Sequence, residues 1–195
     1  IAAGIKQQGL ASSVCAWDPN AASLALGHDL GIIDSIAADI NEATAQSDLI
    51  VLAVPVQSME QVLRDIDLKD QVITDVGSVK GIAVEAARRV FGELPENFIP
   101  GHPIAGSEKQ GVVAADPNLF RQHKVILTPG EASNPAAIAR VEKLWNGLGA
   151  EVVRMSVSHH DDVLAQTSHL PHLLAYALVD TLSAGGDSLE VFEYA

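Results

Sequence analysis

Asp48-Leu49-Ile50-Val51-Leu52-Ala53-Val54-Pro55 is apolar from its second residue to its seventh and stops at a proline. A strand with one wet face would alternate apolar and polar side chains. A run apolar at every position suits a strand covered on both faces, which is the environment of a parallel sheet. Outward from it, short apolar runs recur at Ser13 to Trp17, Gln71 to Asp75, Phe98 to Gly101, Lys124 to Thr128 and Glu151 to Met155. Amphipathic stretches separate them at Pro19 to His28, Gln57 to Arg64, Lys80 to Phe91 and Pro135 to Leu148. Strands of four to seven residues alternating with helices of about ten predict βαβ units and a mostly parallel α/β sheet. Ile1 to Gln8 reads as a helix stopped by Gly9, so a glycine-rich phosphate turn would precede Ile1.

The pattern changes near residue 157. Ser158 to Leu182 is one apolar-rich stretch without strand signals, with Ser158 as expected N-cap and Asp161 three residues on in a variant capping box. Gly185-Gly186 stop it. We therefore expect residues 1–157 to form one domain and residues 158–195 to begin a helical domain.

Composition narrows the function classes. Twenty-five acidic against twelve basic residues give a net charge of -13, which repels phosphate backbones and anionic lipid. Nucleic-acid and membrane-surface partners are therefore not expected. Cys15 is the single cysteine, which excludes an intrachain disulfide and points to a reducing, cytoplasmic compartment. Its apolar surroundings, Val14-Cys15-Ala16-Trp17, predict a buried strand residue. No apolar run is long enough to span a bilayer.

Five further segments carry chemistry. Trp17-Asp18-Pro19-Asn20 puts an acid at a strand end, where a carboxylate accepts hydrogen bonds from ribose hydroxyls and repels a 2′-phosphate. Alternatively, Asp18 caps the next helix with Pro19 at its first position. Val54-Pro55 breaks a buried strand where doubly wound sheets bind ligands, or simply ends it. Asp75-Val76-Gly77-Ser78-Val79-Lys80 leads from a strand into a helix, where Ser78 offers a hydroxyl to a ligand or caps the helix. Lys80 reads as an ion-pair partner or a solvated residue. In Gly101-His102-Pro103-Ile104-Ala105-Gly106-Ser107-Glu108-Lys109-Gln110-Gly111, glycine and proline restrain a histidine as proton chemistry requires. Ser168-His169-Leu170-Pro171-His172 sets two histidines three apart on one helical face, interrupted by a proline that disfavours regular helix. Further ligands in register are lacking, so no metal is expected.

Together and in this order, Asp75 to Lys80, Gly101 to Gly111, and His160-Asp161 followed by Ser168 to His172 resemble the prephenate/arogenate dehydrogenase family of tyrosine biosynthesis. The resemblance implies a Rossmann-type, mostly parallel sheet domain followed by the start of an all-α dimerisation domain. It implies NAD(P)-dependent oxidative decarboxylation of prephenate or arogenate. His102 matches the family's proton acceptor and Ser78 its hydroxyl partner, while Ser107, Glu108, His169 and His172 match substrate-contacting positions. Asp18, Val54, Pro55 and Ser78 fall on the cofactor side. Asp18 followed by Pro19, with no arginine in the turn, favours NAD over NADP. The family's carboxylate-binding arginine falls after Ala195, and the long apolar helix implies a homodimer. The alternatives are a Rossmann-fold reductase of imines or β-hydroxy acids and a non-catalytic nucleotide-sensing dimerisation module.

Overall fold

In a computed structural model, residues 1–106 and 111–184 are described. They fall into two units, Ile1–Val157 and Ser158–Ala195. Ser107, Glu108 and the expected stop at Gly185-Gly186 lie outside the described residues.

The first unit begins with α1 (Ala2–Gln8), closed by Gly9 at a φ of 63° with its N–H turned back to the last helical carbonyls. Only glycine takes that conformation at no steric cost. β1 (Cys15–Ala16) pairs parallel with β2 (Ser35–Ile36), and α2 (Ala21–Asp29) crosses between them. After α3 (Ile40–Ala45) come β3 (Leu49–Leu52), α4 (Met59–Arg64), β4 (Val72–Asp75), α5 (Lys80–Phe91) and β5 (Phe98–Ile99). Strands β3, β4 and β5 form one parallel sheet in that order. β6 (Gly101–Pro103), β7 (Lys124–Leu127) and β8 (Glu151–Arg154), with α6 (Pro135–Gly147) between the last two, form another. Among the described strands, β6–β7 is the one antiparallel pairing, so the α/β, mostly parallel fold expected from the strand run at 48–55 is the one observed.

That run is covered on both faces. Ile50 and Leu52 belong to a cluster with Met59, Leu63, Ile73, Ala83, Ala87 and Phe98. Leu49 and Val51 pack against a second cluster built from Val72, Ile99, Val125, Leu127, Val141 and Trp145. Trp145, fully buried, meets Phe120 edge-to-face with ring centroids 5.2 Å apart.

Four expectations are corrected. The apolar run at 98–101 is not one strand: it pairs with β4 through Ile99, breaks at Pro100, and resumes as β6 against β7. Proline has no N–H for a ladder, while its carbonyl still accepts from Thr128 N at 2.9 Å. Cys15 is exposed; among the described residues β1 pairs with one strand, the short β2. Ser158 is not a cap: α7 (Val157–Leu164) starts one residue earlier and takes Ser158 into its first turn. The long helix is also not uniform. Ala165–His169 is a π-helical turn between α7 and α8 (Leu170–Ala184). Pro171 removes an N–H and crowds the carbonyl four residues back, and a widened turn just before it absorbs that mismatch. No helix among the described residues is long and apolar enough to cross a membrane.

Candidate functional site

The parallel register aligns β3, β4 and β5, so the segments leaving their C-terminal ends emerge at one edge of the sheet. After β3, Val54 is half-buried against the cluster that holds Ile50 and Leu52, and exposed Pro55 opens a 3-10 turn over Val56–Ser58. After β4 come Gly77 and exposed Ser78. After β5 comes His102, half-buried in β6 opposite Ile126. In open α/β sheets this edge is where ligands bind.

Two readings left open by the residues alone are narrowed. Ser78 does not hold the cap position of α5: Val79 does, and it makes no side-chain cap hydrogen bond. Asp18 does not cap α2 either. Asn20 does so, its side chain accepting from Ser23 N at 3.1 Å, and the helix starts only at Ala21. Asp18 instead accepts the Asn20 N–H through Oδ1 at 2.7 Å, which holds an exposed carboxylate just past β1.

The residues that hold this edge in shape are Asp75 and Lys80, both fully buried. Asp75 Oδ2 accepts the Gly77 N–H at 2.9 Å and pairs with the Lys80 ammonium, while Oδ1 accepts the Gly101 N–H at 3.1 Å. Lys80 also donates to the Gly101 carbonyl at 2.7 Å. Lys80 is therefore an ion-pair partner and not a solvated residue. Asp75 was missed by reading sites from sequence, although an acid at a strand end five residues before a lysine at a helix start is a visible signal.

On the second unit, His169 is half-buried at the end of the π-helical turn and His172 is exposed in the first turn of α8. His160, not singled out as a site residue, is fully buried, with Nδ1 2.7 Å from Asp161 Oδ1. Among the described residues, no group of three or more His, Cys, Asp or Glu side chains is placed to hold a metal ion.

Parallel strands with exposed acid and hydroxyl side chains at their C-terminal edge make the first unit a doubly wound nucleotide-binding domain. Residues 1–154 match the family model described as prephenate dehydrogenase, nucleotide-binding domain, and residues 156–195 match prephenate dehydrogenase, dimerization domain. A cyclohexadienyl dehydrogenase of Zymomonas mobilis is 40% identical over 158 residues, 79% of this chain and 53% of the relative. A prephenate dehydrogenase of Lactococcus lactis is 42% identical over 153 residues, 76% of this chain and 41% of the relative. The crystal structure of Aquifex aeolicus prephenate dehydrogenase with hydroxyphenyl propionate and NAD+ superposes with a TM-score of 0.87 at 35% identity, covering 96% of this chain and 66% of that one. The chain belongs to the prephenate dehydrogenase family. It spans about half the length of the curated relatives it matches.

Proposed function

We propose that the protein carries out the NAD-dependent oxidative decarboxylation of prephenate or arogenate, with His102 as proton acceptor. The observation that carries this reading is His102 standing on β6, held through Gly101 to the end of β4, at the sheet edge that also presents Ser78. The strand break at Val54-Pro55 on that edge, and the exposed Asp18 carboxylate just past β1 in the β1–β2 pair, are of the kind that meets a nicotinamide dinucleotide. When bound, that cofactor supplies the hydride acceptor.

The chain's own residues handle the rest. Loss of hydride from the ring carbinol carbon leaves positive charge on that carbon and its oxygen. His102, as neutral imidazole, takes the hydroxyl proton and relieves it. Ser78 shares the hydroxyl and orients it toward the imidazole. Release of the ring carboxylate as carbon dioxide drives electrons into the ring, and His102 returns the proton to the phenolic oxygen. The proposal also takes His169 and His172, with Ser107 and Glu108, as substrate contacts.

The test is a product balance on the full-length protein. Prephenate or arogenate should yield NADH and carbon dioxide in equal amounts, with kcat/KM at least about tenfold higher for NAD than for NADP, since Asp18 repels a 2′-phosphate. NADH without carbon dioxide would identify an ordinary alcohol oxidation, and a preference for NADP would remove the role given to Asp18.

The proposal includes a homodimer formed through the helical domain. Its support is the match of residues 156–195 to the family's dimerization domain, together with exposed Leu173, Leu174, Tyr176, Leu178 and Val179 on α8. Apolar surface of that extent calls for cover. Light scattering should give the mass of two chains, and Leu174→Asp should shift it toward one; a monomeric parent protein would contradict the assembly.

A further inference from the structure

The geometry points to Asp75 and Lys80 as a positioning pair that sets the backbone of His102. This rests on the reading of His102 as proton acceptor and adds to it what holds that residue in place.

The chain changes sheets at Pro100. Ile99 is the last residue laddered to β4, and Gly101 the first laddered to β7. On the side facing β4, Gly101 therefore loses a strand partner, and both of its backbone polar groups are taken up by side chains instead. Asp75 accepts the N–H at 3.1 Å and Lys80 donates to the carbonyl at 2.7 Å. Asp75 and Lys80 are paired to each other, and both side chains have an exposure of 0%. A position gripped at both its N–H and its C=O has little freedom, and His102 is the next residue.

Two glycines let the backbone pack closely at this corner. A Cβ on Gly101 would lie 3.0 Å from the Asp75 carbonyl oxygen and 3.2 Å from Thr74 Oγ1 and Leu127 Cδ2. A Cβ on Gly77 would lie 2.9 Å from Asp75 Oδ2 and 3.7 Å from Lys80 Nζ. Gly77 thus leaves space beside the carboxylate and ammonium, and Gly101 packs directly against the end of β4. A buried ion pair is often no more stabilising than apolar residues of similar volume, and its best-attested use is to fix register. Here register decides the site: a one-residue slip of β6 would send the imidazole to the opposite face of the sheet.

The experiment compares the full-length parent with Asp75→Asn, Lys80→Met and the double variant. Asp75→Asn keeps the side-chain volume and an acceptor for the Gly101 N–H. Each single variant leaves one buried charge without its partner, whereas the double variant leaves none, so it keeps the comparison open where a single variant fails to fold. In folded variants that still bind NAD with parental affinity, we expect KM for the substrate to change little. The value of kcat should fall roughly tenfold to a hundredfold in Lys80→Met and the double variant, and less in Asp75→Asn, because a shift of about 1 Å at a reacting group has that effect. Hydrogen exchange at the Gly101 and His102 amides should quicken while exchange along β3 and β4 stays parental. A folded Lys80→Met or double variant with parental kcat overturns the proposal, as does a fall in kcat with exchange at Gly101 and His102 unchanged. If the parent turns over neither prephenate nor arogenate, the functional reading fails, and the exchange comparison alone decides whether the pair holds this strand.

Discussion

Replacing His102 with asparagine should lower kcat by about 10²- to 10⁴-fold, the range typical of a lost general base. Asparagine can still hydrogen-bond the ring hydroxyl but cannot accept its proton, so KM for the substrate should move far less than kcat. The fold should be unaffected. His102 is only half-buried, and its place in β6 rests on backbone pairing with Ile126 and on the grip on Gly101. A kcat within about threefold of the parent would remove His102 from the chemistry. A protein that only senses nucleotide would show no prephenate-dependent NADH formation to lose.

The largest effect on stability is expected at Trp145. It is fully buried on α6, edge-to-face with Phe120, in the same cluster as Val125 and Leu127 of β7. Truncation to alanine removes the indole and leaves a cavity that the sheet and helix can close only in part, at a cost of about 3–5 kcal/mol. For a domain of this size that corresponds to a fall in Tm of roughly 6–20 °C. Leu127 lies opposite Gly101 in the β6–β7 ladder, so the loosened core sits beneath the strand that carries His102. Thermal unfolding followed by circular dichroism checks this. Trp145→Phe, which keeps an aromatic ring against Phe120, should lose less, and a fall below about 2 °C for Trp145→Ala would contradict the packing.

Much of this fold can be read directly from residue patterns, for identifiable reasons. Leu49 to Leu52 announces a buried strand because both of its faces meet apolar clusters. Lys80–Phe91 matches its expected bounds because its small and charged residues alternate at helical spacing between a β-strand and Gly92. What escapes is short or conflicted. Ser35–Ile36 has two residues and no room for a pattern. Ile40–Ala45 is hardly longer, although Asp39 caps it and Glu42 reaches back to the Ala38 N–H, a local sign of a helix start. The sheet change at Pro100 and the π-helical turn before Pro171 are tertiary answers to a missing proline N–H. Single-sequence periodicity shows that regular structure is strained there, not how the strain is relieved.

The site divides in the same way. Asp18, Ser78 and His102 stand out because each follows a strand end or sits between residues that restrict the backbone. Asp75 does not, since an acid closing a strand looks like an ordinary polar boundary until Gly101, 26 residues later, is seen to bring its N–H to that carboxylate. That contact exists only because β5 lies beside β4, so it depends on the assembled sheet and not on any local pattern.

The most direct test of His102 as proton acceptor is the pH dependence of kcat for the parent and His102→Asn, measured side by side from about pH 5 to 9. The parent should lose activity as pH falls, because the protonated imidazole can no longer take the hydroxyl proton. The variant, at its low rate, should lack that acid limb. A parent profile flat across the range, or a variant that keeps the limb, would contradict the assignment.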